Sequence, residues 1–294
     1  WSTRITKSLP LLLSYGVYLL RFRSLLGSLK PCLVWTNQRK SVVFVRAALK
    51  GLSVKHLHVG HGFEAPELIP NYYRRAMRGA DAVVAVSEDV REVLEGAGVP
   101  VSRVIYNGVH LEEFPYRETS PPAPFTFGVM ATLAEHKGVH LALKAFSRLK
   151  AKNVRMEIAG DVPPGASRDY LSRLKALADE RVRFLGWVKD VKGVMARWGA
   201  LIVPSLARES FGLAAAEAMA LGVPVIASAI GGLKEVVGDA GVLVKPGSVD
   251  ELASAMRSLL ENPVLRRRLA KAGRERVERM FSLDRQAKEY SALI

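Results

Sequence analysis

Two carboxylates eight positions apart bracket the segment Glu209-Ser-Phe-Gly-Leu-Ala-Ala-Ala-Glu217. The apolar run Ala200-Leu-Ile-Val-Pro204 before it reads as a buried strand, and Leu213 to Leu221 is built of helix formers with Gly222 as the stop. That pattern puts Glu209 on a strand-to-helix loop and Glu217 inside the helix. The backbone N–H groups between them fall at a helix N-terminus, where anions are stabilised. A loop carboxylate, a helix N-terminus and a helix carboxylate together suit a sugar, a diphosphate and a ribose. A matching cation is available in Lys137, which precedes Gly138 and an amphipathic stretch, so that its amine can meet a phosphate near a second helix start. Taken singly, Glu217 reads equally well as a solvated helix carboxylate, Glu209 as a helix cap and Lys137 as a surface lysine.

Histidines form the other cluster, in His56-Leu-His58-Val-Gly-His61-Gly62. Ligands of open α/β sheets bind beyond the carboxyl ends of the strands, which favours His61, at the strand end, over His58, flanked by Leu57 and Val59 and expected as a hydrogen-bonded core histidine. The spacing does not match a metalloprotease helix, and no metal is expected.

The elements that must position these groups alternate short apolar strands with helical stretches, the pattern of a parallel α/β sheet. Strands are expected at 32–36, 54–59, 82–86 and 102–106, then at 125–130, 154–159, 182–185, 200–203, 223–227 and 241–244. The proline-rich stretch Glu118-Thr-Ser-Pro-Pro-Ala-Pro124 separates the two groups. Leu11, Leu12, Tyr15, Leu19, Phe22 and Leu26 fit one helical stripe, read as a helix packed on its own domain, with interfacial membrane binding as the alternative. The apolar run Leu9 to Leu20 is too short for a span of about 20 residues.

The signature segment resembles the E-x7-E motif of the family 4 retaining glycosyltransferases. Four further stretches carry the resemblance in the family's order. Gly128-Val-Met-Ala-Thr-Leu-Ala-Glu-His-Lys137-Gly138 looks like the first phosphate-binding loop, and Val154-Arg-Met-Glu-Ile-Ala-Gly160-Asp161 like the next strand and its turn. Val182-Arg-Phe-Leu-Gly186-Trp-Val resembles the stretch lining the base pocket, and Ala227-Ser-Ala-Ile-Gly231-Gly232-Leu-Lys-Glu235 the loop after the signature helix.

The resemblance implies an α/β, GT-B fold of two Rossmann-like domains facing a central cleft. The first, reduced domain would run over 1–118, the linker over 119–124, and the nucleotide-sugar-binding domain over 125–280. A final helix at 281–294 would cross back to the first domain. It implies transfer of a sugar from a nucleoside diphosphate to a glycan or lipid-linked acceptor hydroxyl, with no cofactor beyond the donor. His61, Glu209 and Lys137 would act at the reacting centre. Thr132, Gly138, Ser210, Phe211, Gly212, Leu213, Glu217, Gly186, Trp187, Asn107, Gly231 and Gly232 would bind substrate. Two departures stand out. The family's usual opening strand and Gly-rich loop are not found before Cys32, so the sequence reads either as an N-terminal truncation or as a member with a naturally reduced first domain. Thr132 stands where the family carries an arginine, removing one phosphate partner; Arg208 is the candidate replacement. An inactive nucleotide-sugar- or glycan-binding homologue is therefore the rival reading, followed by an epimerase or a phosphorylase on the same fold.

Composition bounds the partners. Of 294 residues, 43 are Lys or Arg and 28 Asp or Glu, a formal net charge of +15. Residues 1–63 hold ten of the basic residues and no acidic one. An anionic membrane surface or a phosphate-bearing lipid acceptor fits that asymmetry, each basic group contributing on the order of 1 kcal/mol near such a surface. No nucleic-acid-binding motif accompanies the charge. The single cysteine, Cys32, excludes an intrachain disulfide and points to a reducing, cytoplasmic setting, and the basic residues 1–63 are what suggest a peripheral place on the membrane's inner face.

Overall fold

The computed structural model describes residues 9–62, 65–117 and 123–293. The chain divides into two compact units between Val104 and Ile105. Each is a parallel sheet flanked by helices.

In the first unit, helix α1 (Leu9–Leu29) leads to β1 (Leu33–Thr36), α2 (Arg39–Ala48), β2 (Lys55–Gly60), α3 (Asn71–Arg78), β3 (Ala82–Ala85), α4 (Glu88–Gly96) and the two-residue β4 (Arg103–Val104). The strands lie in chain order, all parallel, with Thr36 opposite His58 and Gly60 opposite Ala85. After Lys55 every residue of β2 is buried, as expected of a strand covered on both faces. Ser87 caps α4 by accepting from the Val90 amide, and Glu88 and Asp89 occupy its first turn. Of the expected α1 stripe, Leu19, Phe22 and Leu26 pack against Val45, Ala48 and Leu49 of and beside α2, Tyr15 is exposed with its ring edge against Phe44, and the side chains of Leu11 and Leu12 lie outside the described residues. Val17, Tyr18, Leu20, Leu25 and Leu29 remain exposed.

The second unit runs β5 (Phe125–Met130), α5 (Val139–Ser147), β6 (Val154–Ala159), α6 (Asp169–Leu177), β7 (Val182–Gly186), α7 (Val191–Met195), β8 (Ala200–Val203), α8 (Leu213–Ala220), β9 (Val225–Ser228), α9 (Leu233–Val237) and β10 (Val242–Val244), then α10 (Val249–Glu261), α11 (Pro263–Met280) and α12 (Leu283–Ser291). Its strand order is β10-β9-β8-β5-β6-β7. The winding therefore reverses between β5 and β8, and the carboxyl ends of those two strands open onto the crevice where doubly wound sheets bind ligands. Alternation along the strands divides the core in two. Ala200, Ile202 and Ile226 join Phe127, Phe146 and Met156 on one face, while Leu201, Val225 and Ala227 join Trp198, Met219 and Phe281 on the other.

All ten expected strands are present, most with ends displaced by a residue or two and 102–106 shortened to Arg103–Val104. The division of the chain differs from the expected boundary at 118. Residues 105–117 are fastened to the second unit: Tyr106 donates to Glu235 (3.0 Å), Arg274 to the Phe114 carbonyl (2.8 Å) and the Arg117 amide to Leu221 (3.3 Å). The closing helix α12 is anchored on this same segment, where Leu283 N–H donates to Val109 (3.0 Å) and Gly108 N–H to Gln286 Oε1 (3.1 Å). The partners it shows, Gly108 and Val109, lie within the 1–118 expected for the first domain and, as the chain divides here, in the second unit. The expected linker falls largely outside the described residues. Among the described residues, no helix is long and apolar enough to cross a membrane.

Candidate active site in the second unit

At the carboxyl ends of β5 and β8 lies a cavity of about 290 Å3, lined on one side by Met130, Ala131 and Thr132 and on the other by Ser205, Glu209 and the start of α8. Two loops build it. The first leaves β5, makes a short turn at Glu135–Lys137 and enters α5 through Gly138. Gly138 adopts φ +66°, and a Cβ there would stand 2.0 Å from the Pro204 carbonyl, so this joint between the loops accepts glycine alone. The Leu206 amide donates to the His136 carbonyl at 2.7 Å, tying the second loop to the first.

Those joints bring Lys137 to Glu209. The ammonium donates to Glu209 Oε1 at 2.6 Å, and the buried hydroxyl of Ser205 donates to the same oxygen at 2.6 Å. Both charges are about three-quarters or more withdrawn from solvent. Beside them α8 begins at Leu213 after Gly212, which has no side chain to cap it, so the amides of the first turn present the positive end of the helix to the cavity. A cation, a helix start and an oriented carboxylate thus converge on one space. The cation and amides can neutralise a phosphate, and the carboxylate can accept from hydroxyls.

Glu217 stands four residues into the helix, on the same side as Leu213. Its carboxylate makes no hydrogen bond to the described residues, and burial raises its pKa to about 7. It lies beyond the cavity wall proper.

The structure gathers Asn107, Thr132, Lys137, Glu209, Ser210, Phe211, Gly212 and Leu213 around this one cavity. The Phe211 side chain turns away into the core and meets the rings of Tyr106 and Phe281, leaving only its backbone to the site. Gly231 and Gly232 sit behind the signature loop. The Gly232 amide, expected to face a ligand, donates to the Glu209 carbonyl at 2.7 Å, because the turn at 231–232 packs directly on residues 209–211. Glu235, at the end of that stretch, accepts from Tyr106 at 3.0 Å. Gly186 and Trp187 end the outermost strand, β7, and do not line the cavity; Trp187 is largely exposed. Arg208 is likewise not a lining residue, and Lys137 is the one cation among the described lining residues. Ser205 was not singled out in the sequence. Its position directly after a strand-ending proline was the available signal.

His61 belongs to the first unit. It lies just after β2 and lines a cavity of that unit with His58, Arg39, Lys40 and Tyr73. His58 is a core histidine as expected, with Nδ1 2.9 Å from Thr36 Oγ1.

Comparison with known proteins places this geometry in context. Residues 112–276 match the model of the glycosyl transferases group 1, and residues 3–113 that of Glycosyltransferase Family 4. A glycogen synthase of Mycobacterium tuberculosis is 33% identical over 217 residues, covering 70% of this chain and 51% of that protein. The chain thus spans about half the length of that curated relative. Among solved structures, Anabaena HepE in complex with UDP superposes with a TM-score of 0.84 at 24% identity over 94% of this chain and 81% of that one. Sucrose-phosphate synthase of Thermosynechococcus elongatus superposes with 0.83 at 24% identity over 99% and 78%. These two likenesses establish the shared two-domain GT-B fold.

Proposed function

This chain belongs to the glycosyl transferases group 1, and from that membership we propose that it moves a sugar from a nucleoside-diphosphate sugar to a hydroxyl of a glycan or lipid-linked acceptor, with retention at the anomeric carbon. The observation that carries the reading is the pairing of Lys137 with Glu209 at the start of α8, at the switch point of the sheet. Donor entry exchanges the Lys137–Glu209 contact for two others. The ammonium and the α8 amides take the diphosphate, and Glu209, still held by Ser205, accepts from the sugar hydroxyls. Glu217 accepts from the ribose. The bond between the anomeric carbon and the phosphate oxygen breaks while the acceptor oxygen bonds to the same face, and the acceptor proton passes to the leaving phosphate. The charge that develops on that phosphate is what Lys137 and the helix start stabilise.

UDP is the first nucleotide to test, since it is the one bound in HepE. Thermal-shift titration with UDP-, GDP- and ADP-sugars identifies the base, and product analysis with a glycan acceptor identifies transfer. A nucleotide-dependent rise in Tm that disappears in Lys137→Ala supports the site; no shift with any donor refutes it. The presence of one cation among the described lining residues favours one second reading, a nucleotide-sugar-binding homologue without turnover, which would show the shift and form no product. The basic first fifth of the chain supports a peripheral position on an anionic, cytoplasmic membrane face, tested by salt-sensitive vesicle binding.

A further inference from the structure

A second cavity of the second unit lies at the opposite end of the sheet from Lys137 and Glu209. Gly199 precedes β8, Val223 and Pro224 precede β9, and all three line a space of about 120 Å3. Four-residue β8, about 13 Å long, runs between this space and the candidate active site. The floor is apolar. Trp198 is buried, its indole N–H donates to Glu157 at 3.0 Å, and a Cβ on Gly128 of β5 would stand 1.9 Å from its ring. The one polar atom of the indole is thus engaged inside the protein, and the side chains of Trp198, Leu221, Val223 and Pro224 offer the cavity only carbon. The wall is fastened in place. The Arg117 amide donates to the Leu221 carbonyl at 3.3 Å, and the Tyr116 ring packs on Gly222, where a Cβ would meet it at 2.7 Å.

Three arginines, Arg117, Arg266 and Arg267, line the same space, and no carboxylate is among its described lining residues. Arg266 donates to the carbonyls of Leu259 (2.6 Å) and Leu260 (2.9 Å), and its guanidinium carbon lies 5.1 Å from the centroid of the Phe125 ring. These partners are neutral, so they fix the guanidinium without cancelling its charge. Burial, and after it the charge of Arg267, lowers the Arg266 pKa. Arg117 and Arg267 are exposed, and their side chains make no hydrogen bond or ion pair with the described residues. Three positive charges therefore border one apolar recess with no negative side chain among its described lining residues, and an anion between them relieves their repulsion.

We propose that this cavity binds a small carboxylic acid with a compact apolar body, at a site separate from the one that holds Lys137 and Glu209. An apolar cavity of about 150 Å3 holds benzene, so this recess of about 120 Å3 admits a body no larger than roughly one six-membered ring. The guanidinium forks of Arg117 and Arg267 suit the two oxygens of a carboxylate, and Arg266 adds a charge already fixed in position. A neutral molecule of the same shape leaves the three charges unbalanced, and a bare anion leaves the apolar floor in water. Recognition thus needs head and body together. The site does not depend on the glycosyltransferase reading.

The test titrates the full chain with benzoate, followed by saturation-transfer NMR and calorimetry, with acetate (head without body) and benzyl alcohol (body without charge) as controls. Benzoate should bind with a Kd on the order of 1 mM or below, and each control at least about tenfold more weakly. Arg117→Ala/Arg267→Ala changes two exposed side chains and should weaken benzoate by about tenfold or more with Tm unchanged. Ala270→Leu adds carbon to the lining and should shut benzoate out with all three arginines in place; the double arginine variant decides the matter if that chain fails to fold. Benzoate affinity should be the same in Lys137→Ala and in the presence of saturating UDP. Absence of benzoate binding, controls that bind as well as benzoate, or an affinity indifferent to Arg117→Ala/Arg267→Ala or to a folded Ala270→Leu overturns the site. Displacement of benzoate by UDP places it in the other cavity and overturns the site as well. A chain that fails to bind UDP brings down the transferase reading and leaves the benzoate result standing, since benzoate binding is read directly.

Discussion

Replacing Glu217 with glutamine should stabilise the empty protein and impair its use of donor. Burial moves this carboxyl from an ordinary 4.5 to about 7. Between those two values the unfolded chain has released a proton that the folded chain retains, so folding stability falls as pH rises through the interval and stays low above it. Undiluted, the displacement corresponds to about 3 kcal/mol, and since Glu217 is only partly buried, screening reduces this to about 1–2 kcal/mol. Glutamine has no charge to bury, so the variant escapes that cost at pH 8 and matches the native chain near pH 4.5. For a unit of this size the gain corresponds to about 2–8 °C in Tm. Thermal unfolding of both proteins across pH 4.5 to 8.5 reads it directly. A Tm difference that is the same at every pH would show that the Glu217 environment does not hold its proton and would remove the reasoning. If Glu217 accepts from ribose, the same variant should also raise the Kd for nucleotide by roughly tenfold, the cost of losing a hydrogen bond to a charged group. A residue kept at a stability cost and needed for binding would show both signs together.

Lys137→Ala should weaken UDP binding by about 10- to 150-fold, from the loss of about 1.5–3 kcal/mol of charge-assisted contact, with a Tm change within about 4 °C because the pair with Glu209 is partly exposed; calorimetry at wild-type affinity would contradict it. Glu209→Ala should abolish transfer yet retain UDP, and equal kcat values for variant and native chain would exclude its role at the sugar. Gly138→Ala should cost at least about 2 kcal/mol, from the left-handed backbone and the 2.0 Å approach to the Pro204 carbonyl, seen as a lower midpoint in urea. Phe281→Ala should destabilise by about 3–5 kcal/mol, since its ring is 1% exposed and joins Tyr106 and Phe211 behind the signature loop; a loss under about 1 kcal/mol would show that this cluster does not anchor residues 105–117.

Some of this was local and therefore readable along the chain. The run Ala200 to Val203, the turn residues after it and the helix formers from Leu213 placed Glu209 on a loop and Glu217 in a helix, because strand, turn and helix preferences act over a few residues. Lys137 before Gly138 was visible for the same reason. Burial and partners were not. Glu209 meets Lys137 across 72 residues only because β5 and β8 lie side by side. Ser205 reaches Glu209 because the second loop is hung on the His136 carbonyl. Gly232 uses its amide on the Glu209 carbonyl, Gly186 and Trp187 fall at the far edge of the sheet, and residues 105–117 adhere to the second unit through single hydrogen bonds to distant side chains and carbonyls. The amino-acid sequence by itself determined which segments are strands and helices and which residues stand at their ends, since those follow from local periodicity and backbone preference. Only the tertiary structure decided which of those ends share a cavity, which charges are paired and which carboxyl keeps its proton, since these depend on the order of strands in a sheet and on the water it excludes.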